Sequence, residues 1–279
     1  MIVHTVADLR RERRKLPGRV AFVPTMGALH EGHRALIRAA KESAEHVVVS
    51  VFVNPLQFGE QADLDRYPRT LDADAAICAE EGAELVFAPS AAEVYPRPLE
   101  VSVQTGRMGE IVEGAARPGH FDGMATVVAK LFGMVSPDLA FFGQKDAQQL
   151  AIVRRLSEDL NLDVEIVAVP TVREPDGFAL SSRNRFLSPE ERVTGLALSR
   201  ALFAGRDAVA EGPEAVLAAA GPVLEAAAKA DPPLALDYLV LADPATFTQV
   251  PSGHRGPAVL AVAGRVGATR LIDNLPLEF

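Results

Sequence analysis

The chain has 279 residues, 48% hydrophobic and 23% charged, which fits one large soluble globular domain or two modest ones. Its 37 acidic residues outnumber its 28 basic ones, for a formal charge of −9. That is the wrong balance for a nonspecific nucleic-acid binder, although a local basic cleft stays compatible with it. One cysteine, Cys78, excludes an internal disulfide framework and fits a reducing, cytoplasmic setting, and no apolar run reaches the ~18 residues of a transmembrane helix.

The N-terminal stretch carries Arg10, Arg11, Arg13, Arg14 and Lys15 with no apolar signal core after them, and reads as a helix with a solvated basic face. Val20–Val23 reads as a strand and Gly32–Ser43 as a helix. His46–Val53 is a β-branched strand stopped by Asn54-Pro55. Asp72–Glu81 reads as a helix that holds Cys78 as a small apolar residue. Leu85–Ala88 is a short strand and Gly123–Val135 a buried helix. Leu139–Phe142, Asp146–Leu160 and Val164–Val169 read as strand, helix and strand. Short, fully apolar strands separated by helices predict a Rossmann-like, doubly wound parallel sheet of the α/β class, with ligands at the carboxyl ends of its strands.

The character changes after about residue 185. Ser188-Pro189-Glu190-Glu191 is a strong helix start, with a Ser cap, Pro at the first position and acids in the first turn. Two Ala-rich helical segments follow, near 189–210 and 213–229. Strand-like runs come at Leu236–Leu241, Ala258–Val262 and Thr269–Ile272. The expectation is a first domain over 1–184 and a second, smaller α+β domain over 185–279.

The segment Pro24-Thr25-Met26-Gly27-Ala28-Leu29-His30-Glu31-Gly32-His33 follows the first strong strand. A strand that ends in a Gly-containing turn and opens a helix aims backbone N–H groups at whatever lies above it. His30 and His33 then offer donors to a phosphate chain. The rival readings are a zinc site or two surface histidines. The spacing is one residue short of the His-Glu-x-x-His zinc pattern, and no His/Cys cluster supplies a third ligand. At Gly32, a missing side chain would let a flat base lie against the helix backbone.

Gly143-Gln144-Lys145-Asp146 closes a strand, and Lys145 would place a cation at its carboxyl end; Asp146 and Gln149 equally match a capping box. Leu180-Ser181-Ser182-Arg183 offers two hydroxyls and a guanidinium, either a mobile clamp for a triphosphate or an ordinary polar linker. Gln57 carries an amide that can donate and accept, suited to a hydroxy acid, or else sits exposed in a turn. Arg117 and His120 could bind an anion, and Asp122 could cap the next helix.

Taken together and in this order, these segments resemble the pantothenate synthetase (pantoate–β-alanine ligase, AMP-forming) family of the His-x-Gly-His nucleotidyltransferase superfamily, over essentially the whole chain. The resemblance implies an acid–amine ligase that forms a C–N bond in two steps. Pantoate attacks the α-phosphate of ATP to give pantoyl adenylate and pyrophosphate, and β-alanine then displaces AMP. It implies catalytic roles for His30, His33, Lys145 and Arg183, with His33 as proton donor. Met26 to His33 would line the ATP site. Gly143 and Asp146 would hold ribose, flanking Gln144 and the phosphate-binding Lys145. Val172 would meet adenine through its backbone, and Leu180, where many relatives carry Met, would close with Ser181, Ser182 and Arg183 on the triphosphate. Gln57, Gln149 and Arg117 would serve pantoate and β-alanine. Asp74, with Asp72, is offered to Mg²⁺. No acyl-enzyme is implied, and Cys78 lies outside every motif. The resemblance further implies a homodimer, for which the strand His46–Val53 is a candidate interface, and a lid role for the second domain. No membrane or nucleic-acid partner is expected. The alternatives are another His-x-Gly-His adenylyltransferase or a noncatalytic nucleotide-sensing module.

Overall fold

Runs of β-branched and aromatic residues build a six-stranded parallel sheet in the order β1-β4-β3-β2-β5-β6. The strands are β1 (Ile2–Val3), β2 (Val20–Thr25), β3 (His46–Val51), β4 (Leu85–Phe87), β5 (Leu139–Gly143) and β6 (Glu165–Val169). The computed structural model describes residues 1–59 and 61–279. These form two compact units. The first comprises Met1–Glu110, Arg117–Gly143 and Ile152–Val169; the second comprises Ile111–Ala116, Gln144–Ala151 and Pro170–Phe279.

Alternate residues of each strand serve opposite faces of the first sheet. Ala21, Val23, Val47, Val49 and Phe141 share one core with Leu36, Ile37 and Ala40 of helix Glu31–Ser43, and with Cys78. On the other face Phe132 of helix His120–Val135 meets Phe22 and Phe142 edge-on, with ring centroids 6.4 Å apart in both pairs. Both faces are covered, as in a doubly wound fold. Burial pushes the Cys78 thiol up to about 11, so it stays protonated at neutral pH.

β3 lies inside the sheet, paired with β2 on one side and β4 on the other, and Val47, Val48 and Val49 have no exposed surface. These three residues offer no surface to a second copy, while His46, Val51 and Val53 of the proposed interface segment are half-buried. β1 escapes sequence reading because two residues, Ile2 and Val3 paired with Val86 and Phe87, carry no periodicity. The order places β2 between β3 and β5, which run parallel to it, so the direction in which successive strands are added to the sheet reverses between β2 and β5. In such sheets the crevice at the carboxyl ends of these two strands is where ligands bind.

The second unit carries an antiparallel sheet, β7-β8-β9, from Leu234–Ala242, Pro257–Val266 and Thr269–Glu278. Leu202, Leu224, Leu260 and Val262 lie at its core. The helix expected near 189–210 breaks after Gly195 into Pro189–Gly195 and Ala197–Asp207, where glycine's low helix propensity weakens continuity. Among the described residues no helix is long and apolar enough to cross a membrane.

Candidate active site

The loop after β2 is held from inside the protein. Gly27 (φ +84°) and Ala28 (φ +52°) turn the chain through the left-handed region. A Cβ on Gly27 would stand 2.9 Å from Asp74 Oδ2 and 3.0 Å from Val51 Cγ1, so glycine alone fits. Gly27 N–H donates to Thr25 Oγ1 at 3.2 Å, and the N–H groups of Ala28 and Leu29 donate to the Asp74 carboxylate at 3.1 and 2.8 Å. Thr70 Oγ1 donates to the same carboxylate. The sequence offered these amides to a ligand and Asp74 to a metal; the structure turns both inward and makes Asp74, 1% exposed, the anchor of the loop. Asp72 is exposed in the first turn of helix Leu71–Glu80. Among the described residues no group of three or more His, Cys, Asp or Glu side chains could hold a metal ion. Asp74→Ala leaves two buried N–H groups unpaired, at about 1–3 kcal/mol each. Its thermal midpoint should fall by several degrees; a midpoint within about 1 °C of wild type would contradict the anchoring role.

His30 is the N-cap of helix Glu31–Ser43 rather than part of its first turn. Its Nδ1 accepts from Gly32 N–H at 3.1 Å, and His33 Nδ1 accepts from His30 N–H at 3.2 Å, a capping box made of two imidazoles. A ring nitrogen that accepts from an amide carries no proton, so each neutral ring holds its proton on Nε2. The backbone thereby fixes two Nε2–H donors on rings whose centroids lie 4.2 Å apart. A Cβ on Gly32 would meet His30 Cε1 at 2.9 Å and Nδ1 at 3.1 Å. Glycine here seats the His30 ring, a different reason from the base-stacking one expected. Glu31 is exposed and pairs with Arg34 and Arg38.

Gln57 is buried in a 3₁₀ turn, Pro55–Gln57, not exposed. Tyr95 OH donates to Asn54 Oδ1 at 2.7 Å, and Asn54 Nδ2 donates to Gln57 Oε1 and to the Gly123 carbonyl, both at 3.0 Å. With its oxygen held inward, Gln57 presents Nε2, which lies 3.2 Å from Met26 Sδ, a weak acceptor. The amide is therefore oriented to donate. Arg117 Nη1 donates to His120 Nε2 at 3.0 Å, and His120 Nδ1 donates to the Gln57 carbonyl at 2.8 Å. A guanidinium only donates and a carbonyl only accepts, so both ring nitrogens have assigned roles. Arg117 thus reaches Gln57 through His120. Asp122 caps no helix: it accepts from Thr105 N–H and Oγ1, and Gly119, at φ +75°, is the cap residue. A Cβ on Gly123 would fall 2.2 Å from the Leu56 carbonyl oxygen. Sequence reasoning missed Asn54, Tyr95 and Gly123, whose partners lie 41 and 69 residues away in the chain.

In the second unit, Gln144–Asp146 forms a 3₁₀ turn that leads from β5 into helix Ala147–Asp159. Asn274 Nδ2 donates to the carbonyls of Gln144 and Lys145 at 3.0 and 2.7 Å. Lys145 Nζ stands 3.9 Å from Asp146 Oδ2, an ion pair too long for a hydrogen bond. Gln148 is buried, donating to the Ile111 carbonyl and accepting from Glu113 N–H, while Gln149 is half-buried. Leu180 N–H donates to the Val172 carbonyl at 3.0 Å and Glu174 N–H to Phe178 at 2.8 Å, making a hairpin of 172–180. Ser181 then caps the 3₁₀ turn Ser182–Phe186 through Arg183 N–H, and Asn184 Nδ2 holds the Ala179 carbonyl. The segment is thus a hydrogen-bonded hairpin followed by a 3₁₀ turn.

The model of the pantoate-beta-alanine ligase family matches residues 1–276. A pantothenate synthetase of Thermobifida fusca is 58% identical over 283 residues, covering 99% of this chain and 95% of that protein. The crystal structure of pantothenate synthetase from Thermus thermophilus is 48% identical and covers 98% of both chains with a TM-score of 0.91. A pantoate-beta-alanine ligase from Francisella tularensis, solved in complex with beta-gamma ATP and beta-alanine, is 30% identical over 99% of this chain and 97% of that one, with a TM-score of 0.80. The chain therefore belongs to the pantoate–β-alanine ligase family.

Proposed function

We propose that this ligase condenses (R)-pantoate with β-alanine through a pantoyl adenylate, releasing pyrophosphate and then AMP. The family match across residues 1–276 carries the reading. In the first step a pantoate carboxylate oxygen attacks the α-phosphorus, and the bond to the bridging oxygen breaks as pyrophosphate leaves with the electron pair. In the second, the neutral amine of β-alanine attacks the acyl carbon, the C–O bond to phosphate breaks, AMP leaves, and the amine loses its proton. Both the attacking group and the triphosphate are anionic, so donors and cations must offset their repulsion. Lys145, Arg183 and the hydroxyls of Ser181 and Ser182 take that role at the phosphates, with the Nε2–H groups of His30 and His33 as further hydrogen-bond donors. The Met26–His33 segment lines the ATP site, with Gly143, Gln144 and Asp146 at ribose and phosphates. Val172 meets adenine through its N–H, since its carbonyl closes the hairpin with Leu180. Gln57 donates through Nε2 to pantoate, Gln149 assists, and Arg117 acts on Gln57 through His120. Magnesium enters with its substrate as Mg-ATP, held by phosphate oxygens.

The enzyme works in the cytoplasm as a homodimer, which a sedimentation mass twice that of one chain would support. The test of the chemistry is product analysis with Mg-ATP, pantoate and β-alanine. Free AMP and pantothenate in equal amounts support ligation. A product that retains AMP would make the chain an adenylyltransferase, and ATP binding without pyrophosphate release would make it a sensor.

A further inference from the structure

Two neighbouring residues of the C-terminal strand reach both nucleotide-motif segments of the second unit. Asn274 uses both of its Nδ2 protons on the carbonyls of Gln144 and Lys145. Asp273 accepts a two-point contact from Arg173, at 2.7 and 2.9 Å. The same guanidinium donates to the carbonyls of Gly177 and Asn274, both at 3.0 Å. Arg173 pairs with Ala179 across the hairpin that feeds Ser181–Arg183. One dipeptide therefore fixes where the Lys145 turn stands relative to the base of the Ser181–Arg183 turn.

The chemistry of Asn274 argues against a packing role. It is 3% exposed, and its Oδ1 is buried without a hydrogen-bond partner. Flipping the amide would set its oxygen against two carbonyls, so the orientation is fixed. An apolar residue of the same size would fill the space and leave no orphaned acceptor, which buried polar groups ordinarily avoid. What asparagine adds is the pair of N–H donors aimed at the Lys145 turn.

We propose that Asn274, with the Asp273–Arg173 pair, is a positioning device for the ATP half-reaction: it holds the Lys145 turn and the Val172–Arg183 hairpin in one register for the triphosphate. The proposal rests on the ligase reading above. Burial pushes the Asp273 carboxyl up, and its hydrogen bonds to Arg173, with a smaller contribution from the charge of Lys145, oppose that rise.

The test is Asn274→Leu, which keeps the number and branching of side-chain heavy atoms and removes the donors together with the orphaned acceptor. Pantoate-dependent exchange of pyrophosphate into ATP should fall by about thirtyfold or more, with KM for ATP raised by about tenfold. Attack of β-alanine on supplied pantoyl adenylate should stay within about fivefold of wild type, whatever the two unpaired carbonyls cost the thermal midpoint. A residue that matters only for folding would instead depress both half-reactions together, and that result overturns the proposal. So does exchange within about threefold of wild type. If the leucine variant is not recovered folded, Asn274→Ser decides, since its one hydroxyl donor should restore part of the exchange relative to Asn274→Ala; equal rates for the two contradict the proposal. A wild-type protein with no exchange would sink the ligase reading itself, whereas active wild type beside an unaffected variant sinks only the role of Asn274.

Discussion

Lys145→Ala should lower pantoyl adenylate formation by about two orders of magnitude or more while leaving the fold intact. The backbone of the turn does not depend on the lysine side chain, because Asn274 grips the Gln144 and Lys145 carbonyls. Among the described residues the ammonium forms one ion pair, a long one to Asp146 at 3.9 Å. In the chain Lys145 lies two residues beyond Gly143, the last residue of β5. In the proposed reaction its cation would offset charge as the carboxylate closes on the α-phosphate and pyrophosphate departs. Removing one such preorganised group commonly costs ~3 kcal/mol of transition-state stabilisation, which is about a hundredfold in rate. The check is single-turnover adenylate formation alongside a thermal melt. A variant within about threefold of wild type would take Lys145 out of the chemistry.

Gly123→Ala should be nearly as damaging, by geometry instead of charge. The new Cβ would sit 2.2 Å from the Leu56 carbonyl oxygen, 2.5 Å from its carbon and 2.9 Å from Gln57 N. All three are backbone atoms, so no side chain can swing aside, and the Pro55–Gln57 turn itself must move. Overpacking of this kind costs about 1–3 kcal/mol in stability. The larger effect is on Gln57, whose amide is oriented by Asn54 and whose carbonyl is held by His120. A shift of about 1 Å at a substrate-positioning group can cost about a hundredfold. The expected result is a steep rise in KM for pantoate with KM for ATP much less affected. Unchanged pantoate kinetics in a folded variant would mean that Gln57 does not position pantoate.

The parts of this site that the sequence announces are those whose causes are local. The His30–His33 start of the helix is legible because capping acts over three residues, and the alternating apolar strands announce a parallel sheet. Asp74 was visible as an acid near the motif, but its work for Ala28 and Leu29 depends on a contact 45 and 46 residues away. Its charge suggested a metal; its burial against two amides makes it a loop anchor. Gly123 looks like an ordinary helix glycine until its neighbours are in place, and Gly32, which suggested room for a base, turns out to seat the His30 ring. Asn274 lies 129 residues from Lys145 and two residues beyond the strand-like run Thr269–Ile272, so no local pattern marks it. Ser181–Arg183 read as either a clamp or a polar linker, and its hydrogen bonds to Asn184 and the preceding hairpin are contacts that composition does not reveal.

The central claim is that pantoate is activated on ATP before β-alanine takes part. Isotope exchange between pyrophosphate and ATP, run with Mg²⁺ and pantoate and without β-alanine, tests it most directly. Exchange should need pantoate and disappear without it. No exchange in a protein that binds ATP and still makes pantothenate when β-alanine is added would contradict a freely reversible adenylate as the first step.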